Sequence, residues 1–338
     1  MKHGAIAAID FYLPEQALTT ADLSAEFPEW PVEKIEKKTG IHVRHIARAE
    51  ECSSDLAVEA ACKLFSSGAC RPDEIDYLLL CTQSPDYFLP TTACLVQDRL
   101  GIPTRAGALD FNLGCSGYVY GLGLAEGLIA TGQAETVLLL TAETYSKFLH
   151  PKDRSVRTIF GDAAAVTLIR AVDADSPSMG PFVYGTDGRG GSNLIVRTGA
   201  ARKARTGETA TAAEDQSGNI RTEDNLFMDG AEIFNFTIEA VPEAVQTLLG
   251  KAGLTVEQVD LFVFHQANLY MLEHLRKRMH LPAEKFVLSM AQCGNTVSST
   301  IPIALRTAQQ ESRLQKGMQV MLVGFGVGYS WGATLVRW

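Results

Sequence analysis

The chain has 338 residues, 46% of them hydrophobic and 20% charged, and it carries a formal net charge of −9. This acidic balance argues against nonspecific binding to nucleic acid or to acidic membranes. No apolar run reaches the roughly 18 residues that a membrane span requires. Length and composition therefore predict a soluble enzyme with a large core, built as two domains or as one large α/β unit. We expect neither nucleic acid nor a membrane as a partner.

The seven cysteines, at positions 52, 62, 70, 81, 94, 115 and 293, are scattered along the chain. No two of them have the C-x-x-C spacing, so the sequence predicts neither a disulfide framework nor a zinc site. Free thiols indicate a reducing compartment, and we expect the cytoplasm. The N-terminus begins directly with a strand-like run, so we expect no signal peptide.

The first third of the chain predicts short elements around one buried strand. Ser53–Asp55 caps a helix whose apolar positions, such as Leu56, Ala60 and Leu64, recur at helical spacing. Ile75–Cys81 is a continuous apolar run, typical of a parallel strand that is covered on both faces. The other elements expected here are a strand at 4–12, short helices near 19–23 and 34–38, and a helix at 92–100.

The central stretch Ala108–Tyr118 places a cysteine where a buried strand ends and a buried helix begins. Ala108–Phe111 predicts the strand, Asn112–Gly114 a turn, and Ser116–Ala130 an almost uncharged helix that must lie inside the protein. Free N–H groups and the helix dipole favour an anion at that point, so we expect a lowered pKa for Cys115 and a nucleophilic thiolate. The alternative is a small, inert side chain, since most buried cysteines are inert.

The second half of the chain repeats the order of the first. The matching pairs of strand-like segments are 75–80 with 259–264, 108–111 with 286–289, 137–139 with 321–323, and 161–166 with 331–336. Two such parallel-sheet halves with buried central helices would stack as five layers.

Residues 154–161 are predicted as a loop. Residues 198–224 are poor in large apolar side chains and are expected to form a mobile surface insertion.

The repeat brings the ends of equivalent strands together, and polar residues follow three of them. Cys115 lies at such an end in the first half, and His265 and Asn295 lie at such ends in the second. A histidine after a strand and a Gly-Asn turn are each more often structural, but convergence at one place favours a joint chemical role. Gly324–Gly328 follows another strand and is either a tight turn or a set of backbone N–H groups that binds an oxyanion.

Five motifs in a fixed order cover nearly the whole chain. They are Asn112–Gly117, Phe160–Asp162, His265–Asn268, Gly294–Thr296 and Gly324–Gly332. With these motifs the sequence resembles the 3-oxoacyl-acyl-carrier-protein synthase III family of the thiolase fold. The resemblance implies an α/β protein with two pseudo-repeated halves in a five-layered α-β-α-β-α arrangement. The implied boundaries are an N-terminal half with the nucleophile at 1–172, a connecting segment with the insertion at 173–225, and a C-terminal half at 226–338.

The resemblance implies an acyltransferase that uses no metal or other cofactor. In the family, the cysteine takes an acyl group from a coenzyme A thioester, and the histidine and asparagine serve the decarboxylation of a malonyl thioester. These roles fall on Cys115, His265 and Asn295, and the backbone N–H groups of Cys115 and Val327 would bind an oxyanion. The implied reaction is a decarboxylative Claisen condensation of acyl-CoA with malonyl-acyl-carrier protein in fatty acid biosynthesis, carried out by a homodimer.

Further positions follow from the same resemblance, and some depart from the usual family residue. The implied substrate-binding residues are Trp30, Lys38, Leu89, Arg154, Asn268 and Phe325, and the implied carrier-protein docking residues are Arg276, Lys277 and Arg278. Lys38 and Tyr270 replace arginines, which changes the expected contacts with coenzyme A. Leu89 replaces a phenylalanine that relatives project across the dimer interface, so a longer or branched acyl group is expected to fit. Val327 replaces a glycine of the oxyanion loop.

Three alternatives stay open at the level of sequence. A relative from specialised metabolism would transfer or condense the acyl group with a different acceptor. A Cys-His-Asn hydrolase would use His265 as a base against Cys115 and would release a free acid instead of a ketone. A non-catalytic scaffold would have no structural need for all three polar residues.

Overall fold

The computed structural model describes the whole chain, Met1–Trp338, as two mixed sheets with helices on both faces of each. The strands are β1 (Lys2–Tyr12), β2 (Gln16–Thr19), β3 (Val43–Ile46), β4 (Tyr77–Cys81), β5 (Gly107–Phe111), β6 (Thr136–Glu143), β7 (Ala163–Asp173), β8 (Met179–Thr186), β9 (Leu194–Ile195), β10 (Ala213–Glu214), β11 (Ile220–Arg221), β12 (Phe227–Met228), β13 (Leu261–Phe264), β14 (Gln319–Gly326) and β15 (Ser330–Arg337). The α-helices are α1 (Thr20–Glu26), α2 (Val32–Thr39), α3 (Ser53–Ser66), α4 (Thr92–Arg99), α5 (Gly117–Ala130), α6 (Arg154–Arg157), α7 (Gly230–Ala252), α8 (Leu269–Arg278) and α9 (Thr300–Gln310). None of these helices is long and apolar enough to cross a lipid bilayer.

The first sheet has the strand order β1-β7-β6-β4-β5. β4 pairs in parallel with both β5 and β6, and β7 runs antiparallel to β6 and to β1. Every residue of β6 is buried, as expected for a central strand that is covered on both faces. The ends of β4, β5 and β6 therefore lie side by side at one edge of the sheet.

The second sheet, in the order β13-β14-β15-β8, repeats this topology. β13 and β14 are parallel, and β15 lies antiparallel between β14 and β8. β13, β14, β15 and β8 thus correspond to β4, β6, β7 and β1. A single parallel bridge between Phe262 and Phe286 stands where β5 pairs with β4 in the first sheet. The predicted internal repeat is confirmed, with the second copy of β5 reduced to one bridge.

Two segments differ from the sequence-based expectation. β8 falls within the predicted connecting segment 173–225, yet it is the edge strand of the second sheet through its pairing with β15. The C-terminal half therefore takes its outer strand from that segment. The predicted loop at 154–161 begins with one helical turn, α6, which is capped by the Asp153 side chain.

Three apolar cores join the layers. α3 and α4 cover the outer face of the first sheet, where Leu56 is fully buried. α5 and α9 lie between the two sheets, and Leu122 and Ile301 belong to the core that they share with both. α7 and α8 cover the outer face of the second sheet with side chains such as Leu248 and Leu272. The α-β-α-β-α arrangement is confirmed, and α5, apolar on all sides, lies at its centre.

The insertion at 198–224 has secondary structure and ion pairs of its own. β10 pairs with β11, and β12, just beyond the insertion, pairs with β9. Arg221 forms ion pairs of 2.7 Å with both Asp153 and Asp215. Because Asp153 caps α6, its ion pair with Arg221 attaches the insertion to the segment that precedes the Phe160–Asp162 motif.

Close packing at the start of α5 yields a stability prediction. A Cβ atom added at Gly117 would lie 2.2 Å from Sγ of Cys81, which is itself hydrogen-bonded to the Leu113 carbonyl at 2.9 Å. A Cβ atom added at Gly127, on the same helix, would have no heavy atom within 4 Å. We expect Gly117→Ala to lower the free energy of unfolding by about 1–3 kcal/mol, because overpacking displaces its neighbours.

The matched control is Gly127→Ala, which should leave the free energy of unfolding unchanged or raise it by about 0.5–1 kcal/mol, since alanine is the better helix former. Urea unfolding of both variants measures the difference. If the two substitutions had equal effects, the close contact between α5 and β4 would be contradicted.

Candidate active site

Cys115 lies in the turn between β5 and α5, and β14 presses directly against it. A Cβ atom added at Gly326 would lie 2.9 Å from Cβ and 3.0 Å from Sγ of Cys115. A Cβ atom added at Gly324 would lie 2.8 Å from the Cys115 carbonyl oxygen. The second sheet thus approaches the cysteine so closely that only glycine fits at these two positions.

The Cys115 thiol is buried, and its protonation differs from the expectation. Burial raises the pKa of Cys115 to about 12, and the nearby Glu143 carboxyl adds to the rise. The backbone N–H groups of Cys115 and Val327 act on the sulfur in the opposite direction. The predicted lowering of this pKa by the helix dipole is therefore wrong, because desolvation outweighs the N–H groups at the start of α5. The resting group is a neutral thiol.

His265 follows β13 and is also uncharged. Burial lowers the pKa of His265 to about 3. Its ring meets Phe325 edge to face at 5.4 Å, and Nδ1 lies 2.7 Å from the Thr300 hydroxyl. That hydroxyl also lies 3.0 Å from the Val297 carbonyl. It can accept from Nδ1–H while it donates to Val297, which leaves a lone pair on Nε2, or it can donate to Nδ1, which leaves a proton on Nε2.

Asn295 is held by the segment that connects α6 to β7. Its backbone N–H donates to the Ile159 carbonyl at 3.0 Å, and its carbonyl accepts from Gly161 N–H at 3.1 Å. Its side-chain oxygen accepts from the N–H of Val297 at 2.9 Å. The side-chain nitrogen has only a long contact of 3.4 Å, with the Ala267 carbonyl, so it keeps a free N–H.

The three residues line one pocket of about 470 Å³, together with the predicted positions Trp30, Lys38, Asn268 and Phe325. The inner wall is apolar, with Phe160, Leu194 and Met228 among its residues. The structure thus brings the predicted nucleophile, histidine and asparagine together, while their individual roles stay predictions. No group of three or more His, Cys, Asp or Glu side chains is arranged to hold a metal ion.

The mouth of the pocket is aromatic and cationic. Arg154 lies over the Trp30 ring at 5.5 Å, and the amino groups of Lys34 and Lys38 lie 4.9 and 5.7 Å from its centroid. Arg154 is further held by Glu29 and by the Ser217 carbonyl of the insertion. Three cations around one indole favour a ligand that combines an aromatic ring with negative charge.

Three predicted positions do not line this pocket: Arg154, which lies against Trp30 at its mouth, and Leu89 and Val327. Leu89 is 82% exposed, next to the equally exposed Phe88, and it does not line the pocket of its own chain. Val327 packs against the apolar cluster around Cys115 and contributes its backbone N–H, as described above. Asn268 does line the pocket, and its side chain also caps α8 by accepting from the N–H of Met271 at 2.9 Å.

The predicted basic cluster divides into two kinds of residue. Arg276 is engaged within the fold: it pairs with Glu273 at 2.9 Å and donates to the Leu281 carbonyl at 3.1 Å. Lys277 is exposed and lies 3.7 Å from Glu273, and Arg278 is exposed as well. Lys277 and Arg278 are thus the exposed cations of the cluster, whereas Arg276 contacts the end of α8, and the docking role of all three stays a prediction.

Sequence reasoning missed three buried polar residues beside the site. They are Glu143, at the end of β6, Thr300, which contacts His265, and Tyr145, whose hydroxyl lies 3.3 Å from Gln83. Glu143 could have been found from its place, since the predicted strand 136–141 ends at the same edge as the strand before Cys115. Thr300 and Tyr145 carried no such signal, because a threonine or tyrosine near a helix start is common.

Two segments of the chain match one family. Residues 109–188 match the family described as 3-oxoacyl-[acyl-carrier-protein (ACP)] synthase III, and residues 249–338 match its C-terminal part. The beta-ketoacyl-[acyl-carrier-protein] synthase III of Caldanaerobacter subterraneus subsp. tengcongensis is 35% identical over 327 residues, which are 97% of this chain and 95% of the relative.

Solved structures agree with this match. A crystal structure of a 3-oxoacyl-(acyl-carrier-protein) synthase III is 55% identical, with a TM-score of 0.98 over 99% of this chain and 100% of that chain. The 3-oxoacyl-(acyl-carrier protein) synthase from Burkholderia xenovorans LB400 is 36% identical, with a TM-score of 0.90 over 99% of this chain and 95% of that one.

The low pKa of His265 gives a prediction for stability against pH. In the unfolded chain a histidine titrates near 6.5, whereas burial lowers the pKa of folded His265 to about 3. Below pH 6.5 the unfolded state therefore binds a proton that the folded state does not. The contribution of neutral His265 to the free energy of unfolding is therefore fully present above pH 6.5. It declines as the pH falls from 6.5 toward 3, by up to about 1.4 kcal/mol per pH unit.

We expect urea unfolding of the wild type to show a steeper loss between pH 6.5 and 5 than the variant His265→Gln, which has no titrating ring. Both proteins share every carboxylate, so the difference between the two slopes isolates the histidine. Parallel pH profiles would contradict a neutral, buried imidazole.

Proposed function

The chain belongs to the 3-oxoacyl-acyl-carrier-protein synthase III family, and on that premise we propose that it condenses an acyl-CoA with malonyl-acyl-carrier protein to give a 3-oxoacyl-acyl-carrier protein. The observation that carries the proposal is the convergence of Cys115, His265 and Asn295 in one largely apolar pocket. A thiol can hold an acyl group as a thioester, and paired N–H donors can stabilise an enolate where water is excluded.

Acyl transfer starts from a neutral thiol and a neutral imidazole. Sγ of Cys115 attacks the carbonyl carbon of acyl-CoA while its proton passes to Nε2 of His265, which has its lone pair available when Nδ1 donates to Thr300. The oxyanion is bound by the N–H groups of Cys115 and Val327, which already act on the sulfur. Collapse expels the coenzyme A thiolate, which takes the proton from His265 and leaves the acyl-enzyme.

Condensation uses the other tautomer of His265, which forms between the two half-reactions when Nε2 takes a proton from solvent and Nδ1 releases one. The malonyl carboxylate leaves as carbon dioxide, and the electron pair of the broken C–C bond moves onto the thioester oxygen as an enolate. The free N–H of Asn295 and the Nε2–H of His265 donate to that oxygen, with the Thr300 hydroxyl now donating to Nδ1. The enolate carbon attacks the acyl group, and the released Cys115 thiolate takes a proton from solvent.

The mouth of the pocket suits the coenzyme A end of the substrate. Trp30 offers an indole face to an adenine, and Arg154, Lys34 and Lys38 offer positive charge to phosphates. Asn268 and Phe325 line the path from this mouth to Cys115 and would contact the pantetheine arm. The enzyme needs no other cofactor in this scheme, since both substrates carry their own activated thioester.

We also propose a cytoplasmic homodimer. The exposed apolar side chains Tyr87, Phe88 and Leu89 follow one another on one loop, and such a patch is a candidate for an interface with a second copy. Leu89 would then reach the acyl pocket of the partner. All seven cysteines are free, which supports a reducing compartment.

Separate assays of the two half-reactions test the proposal. We expect His265→Ala and Asn295→Ala to lose malonyl decarboxylation by about 100-fold or more, since each removes a donor to the enolate. Both variants should still form the acyl adduct on Cys115, more slowly for His265→Ala, as intact-protein mass spectrometry would record. Cys115→Ala is the control that should lose the adduct altogether.

The outcomes also separate the alternatives. An acyl adduct on another cysteine would exclude Cys115 as the nucleophile. If His265→Ala or Asn295→Ala lost acylation but kept decarboxylation, the role proposed for that residue would be wrong. Mass spectrometry of the product distinguishes a 3-oxoacyl-carrier protein from a free acid, the product of a hydrolase. A ketone or ester formed only with another acceptor would indicate specialised metabolism.

Docking of the carrier protein is tested on α8. With a net charge of −9, the enzyme repels an acidic carrier overall, so attraction must be local. We expect the double variant Lys277→Glu/Arg278→Glu to raise the KM for malonyl-carrier protein by about tenfold, because charge steering is lost. Acylation of Cys115 by acyl-CoA should change little. The wild-type KM should also rise with salt, since screening shortens to about 10 Å at 0.1 M.

A matched control carries the same change of charge elsewhere. Lys316 and Arg337 are exposed and do not line the pocket, so Lys316→Glu/Arg337→Glu should leave both half-reactions nearly unchanged. Equal losses in both half-reactions for the α8 variant would show that its cations support the fold, and docking on this helix would then be excluded.

A further inference from the structure

Glu143 is a buried carboxyl group that the reaction scheme does not use. It is the last residue of β6, and it is fully buried. Its oxygens accept hydrogen bonds from the backbone N–H of Gln83 at 3.0 Å, from the Ser84 hydroxyl at 3.1 Å and from the Ser298 hydroxyl at 2.9 Å. One side chain thus joins the turn after β4 to the turn before α9. These two turns belong to different halves of the repeat.

The first of these turns supports the nucleophile. A Cβ atom added at Gly114 would lie 2.5 Å from the side-chain oxygen of Gln83 and 2.9 Å from Cγ1 of Val327. Gln83 is therefore packed against the residue that precedes Cys115. Because Glu143 holds the backbone of Gln83, any movement of that carboxyl would be passed to the cysteine turn.

The second turn presents Asn295. Ser298 follows Val297, whose N–H donates to the Asn295 side chain at 2.9 Å. Val297 has a φ of +55°, which is an unfavourable conformation for a β-branched residue. Such a conformation persists only where its surroundings hold it, and the hydrogen bond from Ser298 to Glu143 is the adjacent anchor.

We infer that Glu143 is a positioning residue that keeps Asn295 in register with Cys115, so that the enolate forms within reach of the acyl group. The inference rests on the proposed function, because it concerns the spacing between the two half-reactions. Glu143 contacts neither substrate in this scheme: it positions the two turns through Gln83 and Ser298, and its charge acts on Cys115 through space.

Its charge gives the inference a second, independent signature. Burial raises the pKa of Glu143 to about 8, while its hydrogen bonds to Gln83, Ser298 and Ser84 oppose the rise. The titratable groups that interact with it are Cys81, Cys115, Tyr145 and Asp162. Above about pH 8 the carboxylate opposes formation of the Cys115 thiolate, and below that pH it is neutral.

The experiment compares Glu143→Gln and Ser298→Ala with the wild type in the full-length protein. Ser298→Ala releases only the Asn295 side, so decarboxylation of the malonyl thioester should fall by about tenfold while acylation of Cys115 stays within about twofold. Glu143→Gln should lower decarboxylation as well, because one amide cannot accept all three hydrogen bonds. Both rates come from the same half-reaction assays as above.

The rate at which iodoacetamide alkylates Cys115 then reports on the charge of Glu143. Only the thiolate reacts, so Glu143→Gln should raise the alkylation rate by about three- to tenfold at pH 9. The difference in alkylation rate between Glu143→Gln and the wild type should become smaller toward pH 6, where Glu143 of the wild type is itself protonated. The exposed Cys62 is the internal reference and should react equally in both proteins. A purely structural role would not produce this dependence on pH.

The control for removing a carboxylate inside the fold is Glu126→Gln, at a half-buried position. Glu126 accepts from His3 and from Gly4 N–H far from the pocket, so both half-reactions should be unchanged. Unchanged decarboxylation in Ser298→Ala and Glu143→Gln, or an alkylation rate that does not respond to Glu143→Gln, would overturn the inference. If the wild type itself performed neither half-reaction, the proposed function would fail instead, and the alkylation test would still stand.

Discussion

β14 passes so close to the Cys115 turn that no side chain fits between them. Added Cβ atoms at Gly324 and Gly326 would lie less than 3 Å from backbone or Cβ atoms of Cys115 and Ser116. This contact joins the two sheets at the point where α5 begins. It also places the N–H of Val327 beside the sulfur, because the chain turns immediately after Gly326. A wider separation of the sheets would move the Val327 N–H away from the Cys115 sulfur and leave the predicted oxyanion site with the N–H of Cys115 alone.

Such closeness has a cost in solvation. Cys115, His265 and Glu143 are all buried, and burial shifts the pKa of each toward its neutral form: about 12 for the thiol, about 3 for the imidazole and about 8 for the carboxyl. In the absence of substrate, Cys115, His265 and Glu143 therefore form no ion pair with one another. Charge appears only during reaction, next to N–H donors whose orientation is already fixed, and in a low-dielectric pocket these donors act strongly.

The sequence was sufficient to predict the architecture and the convergence of Cys115, His265 and Asn295, because both depend on where the strands end. Apolar runs marked the strands, and the repeat indicated which ends meet. Solvation could not be predicted in the same way. The dipole of α5 argued for a thiolate at Cys115, but the sequence does not say how deeply β14 buries that turn or that Glu143 lies beside it. The contacts of Arg276 could not be predicted for a similar reason, since its partners Glu273 and Leu281 are set by how α8 ends.

The repeat also accounts for how the predicted catalytic residues are divided, with Cys115 in the first half and His265 and Asn295 in the second. The matched segments make His265, after β13, the counterpart of Cys81 in β4, and Val327, after β14, the counterpart of Glu143 in β6. The end of β6 thus offers a carboxyl where the end of β14 offers a bare N–H. An oxyanion beside the second is stabilised by a hydrogen bond, whereas beside the first it is repelled when the carboxyl is ionised, above about pH 8. In the proposed mechanism this asymmetry places the negative charge of a tetrahedral intermediate on the Val327 side of Cys115, away from Glu143.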